Sequence, residues 1–130
     1  MPHLQFDINK TLDNKQRKLF TDFVELNFSK IMNTGSSHVA ISIREFPRNA
    51  LKLGRSKNND YVCLMNLDIR NGRSEDQKRK LAIIYMEGVE KILSIKKQNQ
   101  YLTFTSHQGN DFNLIERSLE DWIPNDKPLG

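Results

Sequence analysis

The 130-residue sequence has a single cysteine, Cys63, and no apolar run that approaches the length of a membrane span or a signal-peptide core. A lone cysteine excludes a disulfide framework. Because Cys63 lies in the apolar stretch YVCLM, we interpret it as a buried structural thiol rather than a nucleophile. The composition, 37% hydrophobic and 28% charged, is typical of a globular protein. We therefore expect one domain over residues 1–130, located in the cytoplasm, with no membrane partner.

Motifs for binding metals and phosphates are also missing from the sequence. The three histidines, His3, His38 and His107, belong to no spaced metal motif. The sequence has neither a glycine-rich phosphate loop nor a nucleophile elbow. We predict that the protein needs no metal and no cofactor. His38 begins a predicted strand, where it is either a proton shuttle or an ordinary surface or interface histidine.

The basic residues are scattered, although the formal net charge is +4. A modest positive charge attracts small anions as well as nucleic acid, so charge alone does not choose between these partners. We expect a small anionic substrate and do not expect a nucleic acid partner. Binding of nucleic acid by the basic loop at residues 48–57 is kept as an alternative, with a steep salt dependence as its mark.

Hydrophobic periodicity predicts two similar β-α-β units in the chain. Period-2 alternation predicts strands, and apolar residues at three- and four-residue spacing predict helices. The predicted strands are residues 4–8, 38–46, 61–69 and 100–106, and the predicted helices are residues 13–32 and 74–93. The fold class is therefore α/β, a four-stranded mixed sheet of tandem β-α-β units with both helices on one face. Residues 111–124 are more irregular, and we expect a short arm or hairpin there.

The third predicted strand carries apolar residues at both odd and even positions, and therefore on both faces. Cys63 and Met65 point to one side, while Val62 and Leu64 begin the other. A strand that is apolar on both faces needs cover on both, and two helices cover only one. We therefore expect self-association, specifically a homotrimer.

Two features of the sequence indicate where chemistry takes place. Arg70 and Arg73 lie in the turn RNGR, between the third strand and the second helix, where paired arginines are suited to binding a carboxylate. The alternative is a solvated turn with two exposed arginines. Pro2 stands at the head of the first strand, a position that tolerates proline for purely structural reasons. If Met1 is removed, however, Pro2 becomes a secondary amine that is able to carry a proton.

Three segments, MPHLQFDI, HVAISIREFPRNALKLG and LDIRNGRSEDQKRKL, resemble the tautomerase superfamily in order and spacing over about residues 2–107. The likeness is greatest to its cis-3-chloroacrylic acid dehalogenase-like and malonate semialdehyde decarboxylase-like groups. The resemblance implies that Pro2 is the catalytic acid and base and that Arg70 and Arg73 bind the substrate carboxylate.

Other family residues are replaced in this sequence. The histidine that the dehalogenase group carries late in the first helix falls near Phe28, and its tyrosine on the fourth strand falls near Thr103. Its water-activating glutamate corresponds to Glu116 only if the C-terminal arm shifts by about two positions. The decarboxylase aspartate falls near Ser37 or His38. We therefore expect a tautomerase acting on a small 2-oxo or enol carboxylate. The alternatives are a dehalogenase or hydratase of an unsaturated acid, and a binding protein that has lost activity.

Overall fold

The computed structural model describes residues 2–37, 39–57 and 59–118. In this part of the chain the main elements follow the predicted order: β1 (His3–Ile8), α1 (Asn14–Met32), β2 (Ala40–Glu45), β3 (Cys63–Arg70), α2 (Glu75–Leu93) and β4 (Gln100–His107). The observed ends lie within about two residues of the predicted ones, the usual uncertainty of element boundaries. His38, predicted to begin the second strand, lies outside the described residues.

The sheet has the strand order β2-β1-β3-β4. β1 pairs with β2 and β3 pairs with β4 in parallel, whereas β1 and β3 are antiparallel. The predicted mixed sheet of two β-α-β units is therefore confirmed. The antiparallel pair sets His3 opposite Asp68, so the start of β1 lies beside the end of β3. This register brings Pro2 to the end of the sheet that carries Arg70.

Both helices begin with a capping box and end at a left-handed residue. The side chains of Asp13 and Ser74 accept hydrogen bonds from the backbone N–H groups of Gln16 and Gln77. Each glutamine side chain accepts in return from the N–H of its cap residue. The helices end at Asn33 and Ser94, which have φ values of 52° and 58°.

The core lies between the two helices and one face of the sheet. Phe6 is in edge contact with Phe20, with ring centroids 4.9 Å apart, and with Tyr85 at 5.7 Å. The buried Tyr85 hydroxyl donates to the backbone oxygen of Val24 at 2.9 Å, which ties α2 to α1. Cys63 is buried as predicted, and burial raises the pKa of its thiol, which disfavours the nucleophilic thiolate.

The other face of the sheet is polar, so the expectation of two apolar faces on β3 is wrong. Cys63, Met65, Leu67 and Ile69 are buried, whereas the alternate positions are Leu64, Asn66, Asp68 and Arg70. Only the first of these four is apolar. Val62 is buried as well, but it precedes the strand and is held by Asn9. The apolar-face argument for self-association therefore fails, and the homotrimer remains a prediction.

The predicted C-terminal arm is described only as far as residue 118. Here a single antiparallel bridge pairs Asn113 with Ser118, and the N–H of Leu114 donates to the oxygen of Arg117 at 3.0 Å. This is a tight hairpin turn, in agreement with the prediction for this part. The rest of the predicted arm lies outside the described residues.

Candidate active site

Pro2 occupies the first position before β1 and is buried. Its carbonyl oxygen accepts a hydrogen bond from the N–H of Ala40 at 3.0 Å, which extends the pairing of β1 with β2 by one residue. Strand alternation puts Pro2 on the same face as Leu4, the face that the helices cover. Met1 lies outside the described residues, and its removal remains a prediction. The backbone of Pro2 is thus held at the sheet end that carries Arg70.

Arg70 ends β3, and Arg73 directly precedes the N-cap of α2. The turn between them is closed by Gly72, whose φ of 103° is a conformation that side chains rarely adopt. A hydrogen bond from the N–H of Asn71 to the oxygen of His107, at 2.8 Å, fixes the turn to β4. Arg73 therefore stands at the N-terminus of a 19-residue helix, where the helix dipole favours anions, and Arg70 lies at the strand end that leads into the same turn.

Arg73 bridges the turn to the end of the other helix. Its Nη1 donates to the backbone oxygen of Met32, the last residue of α1, at 3.1 Å. Burial, and secondarily the charge of Arg70, lowers the pKa of Arg73 to about 10. The guanidinium is still protonated at neutral pH. Two partly desolvated cations that repel each other form a site that a carboxylate stabilises.

Gly109 determines where the Arg70 guanidinium lies. A Cβ atom at position 109 would overlap Cζ and both terminal nitrogens of Arg70. Gly109 is buried and opens the short 3-10 turn Gly109–Asp111 after β4. Sequence reasoning missed this residue, because a glycine after a strand is usually only a turn signal. The absence of a side chain here provides the space for Arg70.

His107 lies opposite Arg70 in the β3–β4 register. Its Nε2 is 3.3 Å from Oδ1 of Asp68, and its Nδ1 is 3.7 Å from Oδ2 of Asp111. The edge of the Phe112 ring packs against the imidazole, with centroids 5.6 Å apart. The position of His107 beside Arg70 is not apparent from the sequence, because it follows from the strand register.

The remaining predicted residues are not grouped with the arginines. Thr103 pairs with Asn66, four residues before Arg70 along β3, or about 13 Å along the strand. Its hydroxyl donates to Oδ1 of Asn66 at 3.4 Å on the polar face. Glu116 is exposed in the turn between Asn113 and Ser118. Phe28, near which the family histidine falls, is buried in the core, and its side chain has no acid or base group. His38 is not among the described residues.

The described ranges 2–37, 39–57 and 59–118 contain no group of three or more histidine, cysteine or acidic side chains arranged to hold a metal ion. None of the helices there is both long enough and apolar enough to pass through a bilayer.

No family model and no curated protein sequence matches the chain. Solved structures do match. Macrophage migration inhibitory factor of Toxoplasma gondii superposes with a TM-score of 0.78 at 15% identity, over 89% of this chain and 98% of that one. N1, a member of the cis-3-chloroacrylic acid dehalogenase family, superposes with a TM-score of 0.77 at 17% identity, over 90% of this chain and 82% of that one. A malonate semialdehyde decarboxylase superposes with a TM-score of 0.71 at 16% identity, over 85% of this chain and 88% of that one.

These three proteins carry different names but share one architecture with this chain. The resemblance found in the sequence is thus confirmed at the level of the fold, and the chain has the fold of the tautomerase superfamily.

Proposed function

We propose that the protein is a tautomerase, an isomerase that moves a proton between carbon and oxygen of a small 2-oxo or enol carboxylate. The observation that carries the proposal is that Arg70 and Arg73 flank one turn between β3 and α2, at the sheet end where the start of β1 brings Pro2. The reaction needs a group that transfers the proton, and cations that bind the carboxylate also stabilise the charge that develops on the substrate.

The arginine pair binds the substrate and stabilises its developing charge. The guanidinium of Arg73, anchored by the oxygen of Met32, and that of Arg70, seated over Gly109, bind the carboxylate through charge-assisted hydrogen bonds. Negative charge that spreads onto the neighbouring oxygen during the reaction is stabilised by the same two cations. Because they are held in place before the substrate arrives, little reorganisation is required.

Pro2 transfers the proton, once Met1 has been removed. Its ring nitrogen takes the proton from the enol oxygen, the C–O bond becomes a carbonyl, and the electron pair of the C=C bond takes the same proton back at carbon. The protonated ring nitrogen returns to the neutral amine in the second step. Pro2 is buried, and burial favours the neutral form of an amine, which is the form that accepts the proton.

The experiment compares three forms of the full chain on phenylenolpyruvate and 2-hydroxymuconate, each verified by intact mass. We expect turnover with Pro2 at the N-terminus, a large loss in Pro2→Ala with the fold retained, and no turnover when Met1 remains. In that last form the nitrogen is an amide with no exchangeable proton. Pro47→Ala, a proline substitution in a distant loop, is the control and keeps full activity. A Met1-retaining form that is as active as the processed one would refute the mechanism.

Hydration of an unsaturated acid is a second candidate function, and the Asp68–His107 pair favours it. An imidazole held by a carboxylate is a suitable base for activating water, whereas tautomerisation needs no water. If the protein is a hydratase, His107→Gln loses hydration of the unsaturated acid, while Glu116→Gln tests the glutamate that the family resemblance implies.

A folded protein with a free Pro2 that turns over neither substrate class supports a binding function instead. The homotrimer and the cytoplasmic location also remain predictions.

A further inference from the structure

The loop between β2 and β3 forms a second concave site at the opposite end of the sheet from Pro2. It connects Glu45 to Cys63, and its described parts are residues 46–57 and 59–62. Asn9, which follows β1, lies beneath this loop, whereas Pro2 precedes β1. Connections longer than about 12–15 residues in a compact fold usually have a function of their own.

Two buried asparagines hold the loop in place. The side-chain amide of Asn9 donates to the oxygen of Arg48 at 2.9 Å, and its Oδ1 accepts from the N–H of Val62 at 2.8 Å. Asn9 therefore joins the two ends of the loop. Asn99 accepts from the hydroxyl of Ser56 at 2.7 Å and donates to Oδ2 of Asp60 at 3.1 Å. The 4% and 3% exposure of these asparagines means that this polar framework is largely shielded from water.

The framework surrounds a cavity of about 190 Å³ whose charged lining is mostly basic. Arg48, Lys52 and Lys57 contribute three positive charges, and Asp60, bound by Asn99, contributes the one acidic side chain of the lining that the structure describes. The guanidinium carbon of Arg48 lies 3.9 Å from the centroid of the Tyr61 ring, so stacking limits the orientation of this side chain. The concavity therefore presents positive charge on a prearranged backbone.

We propose that this loop cavity binds a small phosphate-bearing anion, such as pyrophosphate or the phosphate end of an ester. Three cations around one concavity match a multiply charged anion better than a single carboxylate, and lysine serves phosphate as a mobile point charge. The volume lies below the roughly 300–1,000 Å³ of pockets for drug-sized ligands. The ligand is therefore a small group rather than a large cofactor.

Nucleic acid fits this cavity less well than a small phosphate does. Proteins that bind single strands offer aromatic rings on which bases stack. The aromatic ring beside this cavity is that of Tyr61, which is already in contact with Arg48 at 3.9 Å and with Lys10 at 5.0 Å. The proposal does not depend on the tautomerase function, because the loop cavity and the arginine pair are at opposite ends of the sheet.

Calorimetric titration of the full chain with pyrophosphate tests the proposal. We expect saturable one-to-one binding that weakens with salt. It should weaken about tenfold or more in Arg48→Gln/Lys52→Gln/Lys57→Gln, as expected when charge-assisted contacts are lost. The double variant Lys52→Gln/Lys57→Gln leaves the Tyr61 stack intact and should weaken binding too. The control Lys15→Gln/Lys80→Gln/Lys91→Gln removes the same charge from the helices and should bind nearly as the original chain does.

Four results would overturn the proposal: no saturable binding at millimolar pyrophosphate, equal weakening in the helix control, loss of binding in Arg70→Ala, or tighter binding of a single-stranded oligonucleotide than of pyrophosphate at the same loop. The third result would assign the anion to the arginine pair, and the fourth would favour nucleic acid. Turnover of enol substrates should be unchanged in the loop variants, so failure here is distinct from failure of the proposed tautomerase.

Discussion

The two β-α-β halves of the molecule are built alike but use their strand-to-helix connections differently. In both halves a 19-residue helix begins with a capping box and ends at a left-handed residue. The connection from β1 to α1 is structural: Asn9 joins the ends of the β2–β3 loop, and the N–H of Leu12 donates to Glu45 at 3.1 Å. The connection from β3 to α2 carries Arg70 and Arg73 instead. The same local architecture thus fixes a loop in one half and carries the two arginines of the proposed carboxylate site in the other.

The antiparallel arrangement of the halves explains how the proposed site takes residues from both of them. β1 and β3 run in opposite directions, so their strand-to-helix connections emerge at opposite ends of the sheet. The end of β3, which carries Arg70, therefore lies beside the start of β1, where Pro2 stands. The proposed site thus needs residues of both halves.

The largest effect is expected from the arginines of the second half. Arg73→Ala or Arg70→Ala should weaken binding of a 2-oxo carboxylate by about 1.5 to 3 kcal/mol, because a charge-assisted hydrogen bond is lost. This corresponds to roughly 10- to 150-fold in the dissociation constant. Titration calorimetry with the carboxylate measures it. Unchanged affinity in both variants would contradict the assignment of these arginines.

Arg17 of the first half is the matched control. Its guanidinium makes two hydrogen bonds to Glu45, with Nε 2.7 Å from Oε2 and Nη2 3.1 Å from Oε1. Arg17→Ala should reduce thermal stability and leave carboxylate binding unchanged. The hydrogen bond from Arg17 lowers the pKa of Glu45, so the stabilisation is present above the unperturbed value of 4.5 and is lost as the pH falls below it. The difference in thermal stability between the original chain and Arg17→Ala should therefore shrink in acid.

An intermediate effect is expected from Gly109→Ala. The added methyl group would occupy the space of the Arg70 guanidinium, which is the end of a flexible side chain and is able to move aside. The fold should survive, while carboxylate affinity falls by about tenfold because the cation is misplaced. Gly54→Ala is the control, since a Cβ there meets no atom within 4 Å. Equal affinity in the two variants would mean that the position of Arg70 does not depend on Gly109.

Much of the fold was predictable from the sequence because its signals are local. The alternation around Leu4 and Phe6, and the pairs Asp13–Gln16 and Ser74–Gln77, lie within single elements. The polar face of β3 is not apparent from the sequence because Val62 extends the apolar stretch, although it lies in the loop before the strand, where its N–H donates to Asn9. Without Val62, only Leu64 is apolar on that face.

The candidate site was predictable only in part, since its neighbours come from different elements. The turn RNGR is a local signal, and it indicated Arg70 and Arg73. Gly109 and His107 reach Arg70 through the β3–β4 pairing, which brings together residues far apart in sequence. The same holds for Asn9 and Asn99 at the loop cavity, where each asparagine binds a segment more than 30 residues away.

The smallest effect is expected at the helix caps, where the two halves are most alike. Asp13→Ala and Ser74→Ala each remove one capping hydrogen bond to a backbone N–H, at 2.7 and 3.0 Å, and each should lower the free energy of unfolding by about 1 kcal/mol. Denaturant titration measures both. Ser74→Ala should also lower the affinity for a carboxylate, because Ser74 fixes the helix end next to Arg73. Asp13→Ala should leave that affinity unchanged, because Asp13 caps the other helix, far from the arginines. A drop in affinity in Asp13→Ala as large as that in Ser74→Ala would mean that the two halves do not divide stability and binding between them.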